Sequence, residues 1–308
     1  MAHISEEWDQ FETLESRLIT ILPEKYQDCY ENIEPVSMGS APLMYGTDGN
    51  VLWSEMWGSF CDLAMAGGPP HKGKLLRPGS RAEIDSQSFR YGDVVQEICR
   101  GITMVTGLES EASSIPGWVS VKCTGDTMAE WLVRAILMEN VSARCNHTRL
   151  DLPAGPAYRL EKEIKSVITV VAKTCHYWID HVPRLQQRDI GLLFAKMDAE
   201  SPLIQPALLD CCDVDRCKAL SAAIAESIFG ATGLRSSNQE YVDWVGVECP
   251  DVRTAIWMMR AVVVSNVVSR REGSIFFLPV NPATDPQGET VLRTVRQLYG
   301  FAAAQGLL

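Results

Sequence analysis

Several features of other protein classes are missing from this 308-residue chain. It has no lysine and arginine cluster of the kind that follows a phosphate backbone, and its formal net charge is −11, so no nucleic acid is expected as a partner. Met1 leads into an acidic segment rather than a basic and then apolar leader, which predicts a cytoplasmic protein. The longest apolar stretch, residues 256–268, contains Arg260 and falls short of the roughly 20 residues of a membrane span, so no membrane partner is expected.

The usual cofactor signatures are also missing. No phosphate-binding loop and no dinucleotide-binding glycine pattern occurs, so the sequence leaves any cofactor unidentified. Ten cysteines in a chain without a secretion signal are expected to be free thiols, because the cytosol keeps thiols reduced.

What the chain does contain is an internal repeat. Residues 106–156 and 232–282 align with a constant offset of 126 and no gap, and 18 of the 51 aligned pairs are identical. Chance would give roughly three, at about 6% identity for ordinary compositions. Such a repeat predicts two copies of one unit that bury equivalent faces. The identical pairs include Trp118/Trp244, Cys123/Cys249, Arg134/Arg260, Asn140/Asn266 and Arg144/Arg270.

Each copy shows the same order of predicted elements. A helix ends at a Thr-Gly-Leu segment, a strand follows, then a long helix, a second strand and a closing helix. A strand, helix and strand in this order usually form a parallel crossover. The predicted fold is therefore α/β, with two pseudo-twofold-related tandem repeats, each helix-strand-helix-strand-helix, and an N-terminal helical and hairpin appendage.

The expected domains follow from this pattern. Residues 1–53 form an acidic N-terminal helical segment and hairpin, residues 54–182 the first α/β repeat, and residues 183–308 the second. The appendage is expected to contain a helix over residues 5–22, a short helix over 23–31 and a hairpin around 46–50. Ser54 is expected to begin a further helix that ends at Gly67.

The segment that follows this helix has the composition of a binding loop. Gly67 and Gly68 would let the backbone approach a ligand closely, and His71, Lys72 and Lys74 would supply hydrogen-bond donors for an anion. The corresponding part of the second copy, residues 200–207, lacks these cations. The asymmetry favours a ligand site in the first copy, although a solvated turn would use the same glycines and prolines.

Cys123 is the second candidate. It follows a strand and precedes a helix, where the positive end of the helix dipole would lower the pKa of the thiol. Thr124 and Gly125 would offer free backbone amides, and Asp126 would serve as an acid or base. A small buried cysteine at a strand end is the alternative.

Arg134 lies on a helix that is apolar almost all the way round. A buried guanidinium needs a carboxylate, carbonyl groups or a bound anion. The sequence therefore predicts either an anion clamp or an internal salt bridge at Arg134.

Two segments contain metal-ligating residue types without a convincing ligand spacing, and no metal ligand is assigned. Residues 211–217 hold three cysteines and two aspartates, and His176 and Asp180 are four residues apart on one helix.

The leading hypothesis is a protein that binds a small anionic metabolite in the first repeat. If it is an enzyme, Cys123, His71 or Asp126 would act in group or proton transfer. One alternative is a non-catalytic interaction protein derived from a fused homodimer, which could also form a homo-oligomer. The other is metal or redox handling by the thiols.

Overall fold

The computed structural model describes residues 2–29, 41–209, 212–237, 241–304 and 306, with side chains described from residue 9 onward. The chain forms two compact units. We call Pro23–Gln187 the central unit, and Met1–Leu22 together with Arg188–Leu308 the C-terminal unit. Both contain helices and a sheet, which confirms the mixed α/β class. The domain boundaries expected from the sequence stay a prediction.

The central unit contains the first of two similar series of elements. It begins with α2 (Glu24–Gln27) and two single 3-10 turns, Trp53–Glu55 and Ala64–Ala66. Its remaining elements, in chain order, are α3 (Arg81–Ser86), α4 (Ser88–Thr106), β1 (Ser110–Ala112), β2 (Trp118–Lys122), α5 (Asp126–Met138), β3 (Arg144–Asn146), β4 (Arg149–Pro153), a π-helical turn (Leu160–Ile164) and α6 (Lys165–Asp180).

The sheet of the central unit is antiparallel, with strand order β1-β2-β4-β3. The register of β2 and β4 runs from Trp118 opposite Pro153 to Lys122 opposite Arg149. The predicted parallel crossover is therefore wrong. Helix α5 leads into the short strand β3, and a tight turn at His147, which has a φ of 52°, reverses the chain into β4. Strand β4 thus lies between β2 and β3.

The C-terminal unit contains the second series. Its sheet has strand order β5-β7-β6 and is also antiparallel. Strand β5, helix α9 and strands β6 and β7 each begin 126 residues after β2, α5, β3 and β4, respectively. The elements are α1 (Ala2–Ile21), most of α7 (Arg184–Glu200), α8 (Val214–Thr232), β5 (Trp244–Glu248), α9 (Val252–Val263), β6 (Arg270–Glu272), β7 (Ile275–Pro279) and α10 (Glu289–Ala304).

Glycine ends the helix before each sheet, as predicted. Helix α4 stops at Gly107 and α8 at Gly233, and both glycines have the left-handed backbone of a C-terminal cap, with φ values of 70° and 73°. Helix α10 also occupies the residues predicted for it.

The N-terminal part departs from the prediction. The helix expected from Ser54 is absent from the described residues, which contain only the two 3-10 turns there. The predicted hairpin is a single antiparallel bridge between Tyr45 and Val51. Helix α2 ends at Gln27, and the predicted end near Glu31 lies outside the described residues.

Helix α5 is the centre of the central unit. All its residues from Trp131 to Met138 are buried, and it packs on α6, β3 and β4. The indole of Trp131 lies 5.4 Å from that of Trp178 on α6, measured between ring centroids. These contacts fix the position of the C-terminal end of α5. Over the described part of the chain, no helix is long and apolar enough to cross a membrane.

Candidate functional site

The segment with residues 67–74, which we call the cationic loop, is fixed to the C-terminal end of α5. The anchor is Glu139, the residue after the helix, whose side chain is fully buried. Its Oε1 accepts the backbone N–H of Ala64 and its Oε2 that of His71, both at 2.9 Å. Its backbone carbonyl accepts the N–H of Lys72 at 3.1 Å. One carboxylate thus holds both the 3-10 turn before the loop and the loop itself.

Lys173 on α6 neutralises this carboxylate. Its Nζ lies 2.8 Å from Glu139 Oε1, and the two side chains are 1% and 0% exposed. It also donates to Cys61 Sγ and to the carbonyl of Asp62, each at 3.3 Å. Burial alone would lower the pKa of Lys173, but the Glu139 carboxylate and Cys61 outweigh burial and raise it. Lys173 therefore keeps its positive charge in the interior.

Asn140 provides the next contact between α5 and the loop. Its φ of 60° places it in the left-handed region, which asparagine tolerates better than most residues. Its side-chain amide donates to the carbonyl of Lys72 at 2.8 Å, and its own carbonyl accepts the N–H of Leu76. The loop is thus held on the helix end by backbone and side-chain hydrogen bonds and has a defined conformation.

His71 is the most perturbed titratable group of the cationic loop. Its pKa is lowered to about 4, first by burial and then by the positive charges of Lys173, Lys72 and Lys165. The imidazole is therefore neutral at pH 7, and its side chain is half-buried. The site therefore offers a neutral proton acceptor in a positive local potential.

The other predicted loop residues occupy different environments. Lys72 is half-buried and Lys74 is exposed. Gly67 has a φ of 103°, which favours glycine. A Cβ on Gly68 would lie 2.8 Å from the carbonyl oxygen of Asp62. The glycines therefore suit a tight turn of the chain, which is one of the two interpretations of this segment of the sequence.

The residues around Cys123 lie at the other end of α5. The Cys123 thiol is buried, and burial raises its pKa to about 12, so the predicted lowering is wrong. Thr124 Oγ1 contacts Met128 Sδ at 3.3 Å, and Gly125 is the N-cap residue of α5. Asp126 is exposed and lies 3.6 Å from His147 Nδ1.

The structure does not bring the two halves of the predicted site together. Helix α5 has 13 residues, and a rise of 1.5 Å per residue separates its ends by about 20 Å. Cys123, Thr124, Gly125 and Asp126 are near its N-terminal end, whereas the cationic loop contacts its C-terminal end. One small ligand cannot contact both.

Arg134 lies inside the central unit, between these two ends. Its side chain is 0% exposed, and its Nη1 donates to the carbonyl of Glu130 at 2.8 Å and lies 3.4 Å from the Glu130 carboxylate. The internal salt bridge is therefore the better of the two sequence interpretations. The guanidinium is thus shielded from solvent.

A second polar cluster escaped the sequence analysis. Tyr26 Oη donates to Asp62 Oδ1 at 2.6 Å and lies 2.8 Å from Tyr177 Oη, to which Lys25 Nζ donates at 3.0 Å. Burial and the hydrogen bond to Asp62 raise the pKa of Tyr26 well above its usual range. These residues come from three distant segments, and no spacing in the sequence signals their contact. The cluster adjoins the cationic loop through Asp62, which Lys173 also contacts.

Of the two segments with metal-ligating residue types, the one with His176 and Asp180 is fully described and the one over residues 211–217 is described in part. His176 and Asp180 form the predicted contact, with 2.7 Å between Nδ1 and Oδ2. Cys212 Sγ and Cys217 Sγ lie 3.2 Å apart, and Cys211 lies outside the described residues. Within the described ranges, no group of three or more His, Cys, Asp or Glu side chains is placed to hold a metal ion.

The arrangement around Glu139 is the strongest candidate site, because it combines a fixed loop, several cations and a neutral imidazole. No protein-family model, no curated protein and no solved structure matches the chain.

Proposed function

We propose that the cationic loop binds a small anionic metabolite and that His71 accepts a hydrogen bond or a proton from it. The observation that carries this proposal is the neutral, half-buried His71 beside Lys72, Lys165 and Lys173. Perturbed pKa values caused by burial and by specific charges are concentrated at functional sites.

The local charges favour an anion. The same positive potential that lowers the pKa of His71 would stabilise a phosphate or carboxylate placed beside it. Lys173 is neutralised by Glu139 at 2.8 Å, so of the cations that lower the pKa of His71 we expect Lys72 and Lys165 to interact with a ligand. The backbone of the loop is already held by Glu139 and Asn140, so binding would order few groups.

His71 is a better acid or base than Cys123. With a pKa of about 12, the Cys123 thiol would be almost entirely protonated at pH 7 and a poor nucleophile. His71 is unprotonated at that pH, and a bound anion would raise its pKa from about 4 toward the operating pH, where a general base is most effective. Proton transfer to or from a bound anionic substrate is the reaction class that fits.

We further propose that the site belongs to the first repeat alone, after duplication of an ancestral unit. The common 126-residue offset of the elements supports the duplication. In the second copy, Ser265 stands in the place of Glu139, and Asn266 donates to the carbonyl of Ser201 as Asn140 donates to that of Lys72. The position equivalent to Glu139 thus carries a serine and no carboxylate.

The test is a binding screen of the full chain with inorganic phosphate, phosphorylated metabolites and carboxylates. A ligand at 100 times its Kd stabilises the folded protein by about 2.7 kcal/mol, which appears as a higher Tm. We expect Lys72→Ala to weaken binding about tenfold to 150-fold, since hydrogen bonds to charged groups contribute about 1.5–3 kcal/mol.

The matched control is Lys218→Ala. Lys218 is 60% exposed and lies in the C-terminal unit, so its removal should leave the affinity unchanged. Equal weakening by both substitutions would show that binding depends only on net charge. That result, or the lack of any binding, would overturn the proposal.

A further inference from the structure

Two histidines at the C-terminal end of α6 have their Nε2 atoms close together. His176 lies in the last turn of the helix, and His181 is its C-cap residue. The two Nε2 atoms are 3.3 Å apart, the ring centroids are 4.9 Å apart and the ring planes are nearly perpendicular. Two arrangements would bring the nitrogens this close, a hydrogen bond between the imidazoles and a metal chelate.

The geometry of a metal chelate describes the two histidines better than that of a hydrogen bond does. Two imidazoles on a tetrahedral ion, with bonds of about 2.0–2.1 Å, have their nitrogens about 3.3 Å apart and their ring centroids about 5.2 Å apart. A linear N–H···N bond of the same length would place the centroids about 5.6 Å apart. The observed separation of 4.9 Å is shorter than both and nearer to the chelate. The two Nε2 atoms are thus spaced as two ligands of one ion would be.

Asp180 supplies the supporting contact that metal-bound histidines usually have. Its Oδ2 lies 2.7 Å from His176 Nδ1, so the carboxylate accepts the Nδ1 proton and leaves the Nε2 lone pair free to bind an ion. The side chains of His176 and Asp180 are 37% and 58% exposed, which gives an ion and its water ligands access. The nearby cation of Lys25 is offset by Asp62 at 3.8 Å.

We propose that His176 and His181 bind a divalent transition-metal ion, with water completing the coordination and Asp180 orienting His176. Imidazole ligands suit zinc, copper and nickel. The proposal rests on side chains separate from the cationic loop and is independent of the proposed anion site.

The experiment is a calorimetric titration of the untagged full chain with Zn²⁺. We expect one ion per chain, and loss of this binding in His176→Ala and in His181→Ala. Asp180→Asn should weaken it about tenfold to 100-fold, as substitutions of such supporting carboxylates usually do. His147→Ala is the control, because His147 is 82% exposed and remote in sequence, and it should bind as the wild type does.

The free cysteines of this chain are competing ligands, so a second readout is needed. The absorption spectrum of the Co²⁺ form separates the two cases, because thiolate ligands give intense charge-transfer bands and imidazole ligands do not. Thiolate bands, unchanged binding in both histidine variants, or no binding by the wild type would overturn the proposal. If His176→Ala lowers the Tm, the test relies on zinc binding by His181→Ala, because the side chain of His181 lies outside the helix.

Discussion

The ion pair of Lys173 and Glu139 is predicted to be the most sensitive polar contact of the central unit. Lys173→Met keeps most of the side-chain volume but leaves the Glu139 carboxylate buried without its cation. Removing one partner of a buried ion pair usually lowers the free energy of unfolding by about 3–5 kcal/mol. For a unit of this size each kcal/mol lowers the Tm by about 2–4 °C, so we expect a loss of about 6–20 °C.

The assay is urea unfolding of the full chain, followed by circular dichroism, with a surface lysine as the matched control. Lys122 pairs with Glu109 at 3.2 Å, but the side chains are 70% and 81% exposed. Exposed pairs contribute about 0–1 kcal/mol, so Lys122→Met should be nearly neutral. Similar costs for the two substitutions would refute the reasoning.

Substitution of Glu139, the second partner of the ion pair, gives an independent check of this prediction. Glu139→Gln combined with Lys173→Met removes both charges, so the double variant should be less destabilised than the sum of the single variants. At high pH the wild type should lose the stability that the ion pair of Lys173 and Glu139 contributes. The raised pKa of Lys173 means that its contribution is complete below the ordinary lysine value of about 10.4 and is lost as the pH rises through the higher folded-state value.

Three further predictions concern the same unit. Cys123 should resist alkylation at pH 8 in the native protein while the exposed Cys29 reacts, as peptide mass spectrometry would show, because burial raises the pKa of Cys123 to about 12. Asn140→Ala should destabilise the protein by about 1–2 kcal/mol more than Asn140→Gly in urea unfolding, since only glycine accepts a φ of 60° without strain. Gly101→Ala should cost about 1–3 kcal/mol, because its Cβ would lie 2.2 Å from Ile168 Cδ1 in a packed contact. Gly92→Ala on the same helix has open space and should stabilise by up to about 1 kcal/mol, and a loss there would contradict the packing argument.

The local features of the fold could be read from the sequence. Gly107 and Gly233 mark the ends of α4 and α8, and the repeated Trp-Val-x-Val pattern at Trp118 and Trp244 marks strands β2 and β5. The pairing of the strands could not be predicted, because it depends on β3. That strand has three residues, Arg144–Asn146, and no alternating apolar pattern.

The helix expected from Ser54 failed for a related reason. The segment from 54 to 66 is ordered by distant partners, since Glu139 accepts the N–H of Ala64 and Lys173 contacts Cys61 and Asp62. Tertiary contacts of this kind override local propensity.

The candidate site combines residues that the sequence indicated with residues that it did not. His71, Lys72 and Lys74 were proposed from composition, whereas Glu139 and Lys173, which fix the loop, are distant in sequence and carry no local signal. For Cys123 the sequence left two interpretations open, a thiol activated by the helix dipole and a small buried cysteine. The dipole contributes about 0.3–1 kcal/mol. A rise of the thiol pKa from 9.0 to about 12 corresponds to about 4 kcal/mol, so burial dominates.

The most direct test of the proposed site is an NMR titration of the His71 imidazole, assigned with His71→Gln, with and without inorganic phosphate. We predict a pKa of about 4 that rises when phosphate is added to the wild type and rises much less in Lys72→Ala, because the bound anion offsets the neighbouring cations. A pKa near 6.5 that does not respond to phosphate would contradict both the buried cationic environment of His71 and the anion site.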